Sequence, residues 1–148
     1  MSELTVLLHP DPRLKKICIP VTNIDKSIKK LCLDMIETMY KYSGVGLAAS
    51  QVGILKRVVV MDCSEEDEKK PIILINPEVI WSSDDISFFE EGCLSIPDIR
   101  EEIKRPSSVR IKFTDISGVL KEDFFEGLWA TCIQHEIDHL NGRLFIDY

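Results

Sequence analysis

Two histidines four residues apart, His135 and His139, bracket the run His135-Glu136-Ile137-Asp138-His139 near the end of the chain. On a helix, residues at this spacing share one face, so both imidazoles can reach a single metal ion. The glutamate between them is then placed to handle the proton of a water activated at that ion. The motif constrains the fold strongly. It demands a helix here, and it demands that some other part of the chain complete the ligand set.

A catalytic site of this kind wants three protein ligands and one open position. In metzincins the third is a histidine further along, in H-E-x-x-H-x-x-G-x-x-H. This chain has Gly142 in the glycine slot but Phe145 in the histidine slot. Downstream of His139 only Asp147 offers a carboxylate, and the sequence stops at Tyr148. The third ligand is therefore expected upstream. His9, the one other histidine, lies in His9-Pro10-Asp11-Pro12, which reads as a turn. Upstream cysteines and carboxylates remain as candidates.

The 148 residues suffice for one domain, 1–148, with a real core, and 45% hydrophobic content excludes disorder. A net charge of −7 argues against nonspecific nucleic-acid affinity, so no direct nucleic-acid binding is expected. The start, Met1-Ser2-Glu3-Leu4-Thr5-Val6-Leu7-Leu8, lacks the basic and long apolar regions of a signal peptide, and no run matches a membrane span. A cytoplasmic protein with no membrane partner is the expectation. Five cysteines, with no C-x-x-C, make a poor disulfide framework and suit a reducing compartment. Cys18, Cys32, Cys63 and Cys132 lie in apolar surroundings typical of small buried residues. Cys93 differs, following Glu90-Glu91-Gly92 and preceding Leu94-Ser95-Ile96-Pro97.

Along the chain, the stretch to about Asn23 is irregular and proline-punctuated. Residues 25–42 place Ile28, Leu31, Cys32, Met35, Ile36 and Met39 at spacings of three and four, an amphipathic helix whose stripe is core. The small-residue segment Gly44-Val45-Gly46-Leu47-Ala48-Ala49-Ser50-Gln51 follows. Residues 57–62, 71–76, 78–81 and 86–89 read as strands, with a solvated charged loop over 64–70. Residues 108–114 alternate, with Val109, Ile111 and Phe113 on one face, and turn into 120–125 as an antiparallel hairpin. Residues 127–141 form the second helix, ended by Gly142, and 144–146 form a last short strand. The fold class is α+β: antiparallel strands packed around the motif-bearing helix, with an amphipathic N-terminal helix. Leu128, Cys132, His135 and His139 share one face of the second helix, so the metal face continues into an apolar stripe.

Three segments, Gly44 to Gln51, Glu91-Gly92-Cys93-Leu94-Ser95 and His135 to His139, resemble the three signature motifs of peptide deformylase, in order. The resemblance runs from near residue 5 to the end of the sequence. It implies a metal-dependent hydrolase that removes the formyl group from the N-terminal formylmethionine of new polypeptides and releases formate. It implies that Cys93, His135 and His139 bind one divalent ion per chain, with water in the fourth position. Fe²⁺ is the ion expected in the cell, with Zn²⁺, Ni²⁺ or Co²⁺ as alternatives. Glu136 is then the general acid/base, and Gln51 and the N–H of Leu94 stabilise the oxyanion. Substrate contacts are expected from Gly44, Val45, Gly46, Glu91, Gly92, Arg100, Leu128 and Cys132, with the methionine side chain near Val45, Leu128, Cys132 and the His135 ring. Arg100 and Arg105 are each expected either to steady a peptide or pair with Glu91, or simply to be solvated at the surface. Many bacterial members continue into a further helix that can assist ribosome contact. This sequence ends at Phe145-Ile146-Asp147-Tyr148, so a minimal, monomeric form, bacterial, organellar or phage-encoded, without that docking helix is expected. Rival readings are a small peptidase using the same helix and a binding protein whose metal is purely structural.

Overall fold

Four consecutive apolar residues, Val58-Val59-Val60-Met61, are fully buried, and this decides the layout. A strand buried on both faces needs a layer on each side. The computed structural model describes residues 3–65 and 68–148. Met1 and Ser2 of the N-terminal reading, and Glu66 and Asp67 of the charged loop, lie outside the described residues.

Helix α1 spans Lys26–Lys41. Asp25 starts it by accepting from the Ile28 N–H at 3.0 Å, satisfying an end donor that the helix cannot. Strands β1 (Gly46–Ala48), β2 (Val58–Met61), β3 (Ile72–Ser82), β6 (Ser108–Thr114) and β7 (Leu120–Glu126) form one antiparallel sheet in the order β1-β2-β3-β6-β7. Strands β4 (Ile86–Cys93) and β5 (Ile96–Pro106) form a separate two-stranded ribbon. Helix α2 spans Gly127–Leu140 and follows β7 with no intervening loop.

Side chains of a strand alternate between faces. Val58 and Val60 therefore pack with Ile28, Cys32, Met35 and Met39 of α1. Val59 and Met61 pack with Ala130, Cys132, Ile133 and Ile137 of α2. The sheet is thus sandwiched between the two helices. Val109, Ile111 and Phe113 join the α2 side, as their alternation requires. A third cluster, of Leu14, Ile96, Ile103, Leu144 and Phe145, packs against Cys93 and ties the ribbon to both ends of the described chain.

The structure corrects several expectations. Residues 78–81 are not a separate strand but the second half of β3, which bends at register shifts around Asn76, in the left-handed region at φ 53°. The Asn76 side chain both accepts from and donates to the Val21 backbone, which offsets that unusual conformation. The strand at 86–89 extends to Cys93 and pairs with β5, a strand the sequence pattern did not show. Residues 144–146 are not a strand: Phe145–Asp147 is a 3₁₀ turn, with the Asp147 carboxylate accepting from the Leu144 N–H. Cys63 is only partly buried, unlike Cys18, Cys32 and Cys132. The second helix ends where expected, with Gly142 at φ 75° against the Lys15 carbonyl.

Candidate metal centre

Helix α2 presents His135 and His139 one turn apart, and the end of β4 brings Cys93 to them. The two Nε2 atoms lie 3.2 Å apart, and Cys93 Sγ is 3.3 Å from His139 Nε2. All three donor atoms fall within 4.8 Å of one another. Tetrahedral ligands at ordinary zinc bond lengths would stand about 3.3 Å (N to N) and about 3.6 Å (N to S) apart. The residues therefore fit a divalent ion, and a thiolate with two imidazoles suits zinc or iron chemistry. His9 is exposed in its turn, bonded through its backbone N–H to Ser95, and is not among these donors.

His135 and His139 differ in what holds them. His135 Nδ1 lies 2.9 Å from Glu91 Oε1. An ionised carboxylate can only accept, so Nδ1 carries the hydrogen and Nε2 is left with its lone pair for a metal. Glu91 in turn takes Arg105 Nε at 2.7 Å and Nη2 at 3.0 Å. Burial opposes the Glu91 charge, but hydrogen bonds from His135 and Arg105 outweigh it and hold the carboxyl below its ordinary range. In the metal-free chain burial likewise opposes charging His135, yet Cys93, Glu91 and Glu136 push its pKa up to about 10. His139 is held well below its ordinary value by burial and by the charge of His135, and its Nδ1 has no hydrogen-bond partner among the described residues.

Glu136 is 4% exposed. Loss of solvent pushes its pKa up to about 7, and its Oε1 has no hydrogen-bond partner among the described residues. The close approach of β1 explains why position 46 is glycine: a Cβ there would sit 2.5 Å from Glu136 Oε2 and 2.7 Å from Cys132 Sγ. The turn after β1, Ala49–Val52, delivers Gln51. Its Oε1 accepts from the Ala48 N–H at 2.9 Å, while Nε2 donates to Ser95 Oγ at 3.1 Å and toward Cys93 Sγ at 3.5 Å. The amide orientation is thereby set with its N–H side toward the cysteine.

A cavity of about 580 Å³ opens in front of these groups. Cys93, His135, Glu136, Gln51 and Leu94 line it, as do Gly44, Val45, Gly46, Glu91, Gly92, Arg100, Leu128 and Cys132; His139, 1% exposed, joins these sequence candidates through its contacts with His135 and Cys93 rather than by lining the cavity. Val45 and Leu128, both 45% exposed, give it apolar edges. Glu91 reaches the cavity, but both its oxygens are engaged by Arg105 and His135. Arg105 is not a surface group. It is 4% exposed, pairs with Glu91 and lies 2.9 Å from Asp138, which raises its pKa against the cost of burial. Sequence reasoning also missed Ser95, the residue that orients Gln51, and Asp138. Both were within reach, since each sits inside a motif already singled out.

Three converging donors, a buried carboxylate beside them and an apolar-edged cavity in front define a metal-dependent hydrolase. The sequence matches the polypeptide deformylase family over residues 3–148. It is 53% identical over 149 residues to peptide deformylase of Afipia carboxidovorans, spanning 100% of this chain and 87% of that protein. It is 50% identical over 153 residues to the enzyme of Bradyrhizobium sp. strain BTAi1, with the same shares covered. The fold superposes on the crystal structure of peptide deformylase from Thermotoga maritima with a TM-score of 0.94, at 44% identity, over 99% of this chain and 97% of that one. The chain belongs to the peptide deformylase family, metal-dependent enzymes that remove the N-formyl group from nascent polypeptides. Among the described residues no helix is long and apolar enough to cross a membrane.

Proposed function

We propose that residues 1–148 act as one catalytic domain that deformylates N-formylmethionyl peptides, with Cys93, His135 and His139 holding one divalent ion. The observation that carries this reading is the convergence of the three donor atoms beside Glu136, whose pKa is pushed up to about 7. When bound, the ion supplies Lewis acidity, acidifying a ligated water and polarising an amide carbonyl. The residues do the rest. Glu136, buried beside the three donors with Oε1 unpaired among the described residues, takes the proton of the attacking water and passes it to the leaving amine. The Gln51 amide and the Leu94 N–H meet the charge that develops on the formyl oxygen, each worth about 3 kcal/mol of barrier. Glu91 keeps His135 in the tautomer that coordinates. Gly44 and Gly46 let the substrate backbone run close, and Val45, Leu128, Cys132 and the His135 ring receive the methionine side chain. Arg100, at the cavity edge, steadies the peptide.

We assign Fe²⁺ as the ion in the cell on the strength of the family resemblance; the same donors accept Zn²⁺, Ni²⁺ or Co²⁺. The chain is proposed to work as a cytoplasmic monomer that meets nascent peptides and binds no nucleic acid. The test is formate release under anaerobic conditions, with the bound metal identified in the same sample. A formyl-Met peptide is compared with its unformylated twin. Formate from the first and no reaction of the second is expected. Cleavage inside the peptide, with no formate, would overturn the reading.

A further inference from the structure

The ion-paired side of the metal centre does not end at Arg105. One edge of the guanidinium, Nε and Nη2, grips Glu91. The remaining nitrogen, Nη1, donates to Asp138 Oδ2 at 2.9 Å and to the Tyr148 hydroxyl oxygen at 3.0 Å. The Tyr148 hydroxyl itself donates to Asp138 Oδ2. Its ring lies under two cations, with the guanidinium carbon of Arg105 4.8 Å and that of Arg143 3.9 Å from the ring centre. Tyr148 thus closes a three-membered ring of hydrogen bonds with Arg105 and Asp138.

The charges explain what that closure does. Arg105 stands between two carboxylates, Glu91 and Asp138, with one positive charge for both. Anything that strengthens the pull of Asp138 draws the guanidinium off Glu91. The Tyr148 hydroxyl donates to Asp138 and so spreads that carboxylate's charge. Its oxygen simultaneously accepts from Nη1, and its ring supports the guanidinium from one face. Arg105 is thereby left square on Glu91, and Glu91 on Nδ1 of His135. Groups that orient a metal ligand from outside typically change metal affinity about 10- to 100-fold when removed.

We propose that Tyr148 is a positioning residue of the metal centre, acting through Arg105 and Glu91 on the His135 ring. The proposal rests on His135 being a metal ligand, as in the function proposed above. Tyr148→Phe tests it, because it keeps the ring under both guanidinium groups and deletes only the hydroxyl. Wild type and variant are loaded with Co²⁺, and two readouts follow that do not depend on turnover: the rate of ion release into excess chelator, and the visible d–d absorption. About tenfold faster release and a shifted spectrum are expected in the variant, with kcat lowered and KM for a formyl-Met peptide unchanged. In the Arg105→Lys background, which has already lost the two-pronged grip on Glu91, adding Tyr148→Phe should change release by less than twofold. A variant that melts at lower temperature but releases Co²⁺ at the wild-type rate with the wild-type spectrum would overturn the proposal alone. Wild type that binds no Co²⁺ would overturn the ligand assignment and the proposal with it.

Discussion

Two flanks of α2 approach the metal centre, and they are built differently. On the β1 flank, contact is so tight that one methyl group at Gly46 would overlap both Glu136 and Cys132. On the β4–β5 flank, besides Cys93 at the end of β4, the ribbon meets the helix through long charged side chains, Glu91 and Arg105. The first flank fixes a distance by packing and removes solvent from Glu136, the proposed acid/base. The second fixes the orientation and tautomer of His135 by directed, charge-assisted hydrogen bonds. Volume is critical on one side and charge on the other.

The largest effect is expected at the carboxylate itself. Glu136→Ala should retain the metal, since all three donors remain, and lose a factor of about 10²–10⁴ in turnover. Metal content and formate release in one preparation check this, and wild-type activity would end the acid/base assignment. On the charged flank, Arg105→Ala leaves Glu91 and Asp138 facing each other's surroundings without their shared cation. A loss of about 3–5 kcal/mol in urea unfolding is expected, because removing one member of a buried ionic group strands the other charges.

The two flanks also titrate with opposite signs. Glu136 has its folded pKa raised to about 7, so the folded chain binds the extra proton and stability falls as pH rises from the ordinary carboxylate range to about 7. Glu91 has its folded pKa lowered, so its contribution is present above the ordinary carboxylate pKa and is lost as pH falls through the folded value. In metal-free protein, Glu136→Gln should therefore flatten the stability profile between pH ~5 and ~7, by about 3 kcal/mol for a shift of this size. Glu91→Gln should flatten it only on the acid side. Urea midpoints across pH for the three proteins decide, and identical profiles would show that the flanks are not electrostatically distinct.

How far these flanks could be read from sequence follows from the kind of pattern each leaves. The placing of His135 and His139 on one face of α2 was legible because helical spacing is local and regular, and α1 was legible for the same reason. Strand β2 was legible as a strand from its short apolar run. Nothing in the spacing of residues places the end of β4 against α2, however. The cysteine was identified by family resemblance, and geometry then supplied the reason. Strand β5 left no pattern because the ribbon is mostly solvated: Asp98, Arg100, Glu101, Glu102 and Lys104 surround the few buried positions. A buried arginine within such a stretch looks like any surface arginine. Leu144-Phe145-Ile146 carries the apolar run of a strand, yet it turns because Leu144 and Phe145 both bury against Leu14 and Ile96, and Asp147 folds back to its own turn.

Gly46→Ala gives the smallest of these effects in energy and separates the flanks most cleanly. The added methyl meets the end of Glu136 and the Cys132 thiol, both side-chain atoms that can shift by rotating. Both are nearly buried, Cys132 5% and Glu136 4% exposed, so the shift displaces them from tight contacts. Overpacking of this kind costs about 1–3 kcal/mol and is relieved by displacing the side chains rather than the backbone. The chain should still fold, melt lower, and lose turnover because Glu136 is displaced. Its metal release rate should match wild type, because Cys93, His135 and His139 are untouched and Glu91 still holds Nδ1. Arg105→Lys should show the reverse pattern, with faster metal release and little steric cost. If Gly46→Ala instead released metal faster while turnover per bound ion stayed unchanged, the division of labour between the two flanks would be wrong.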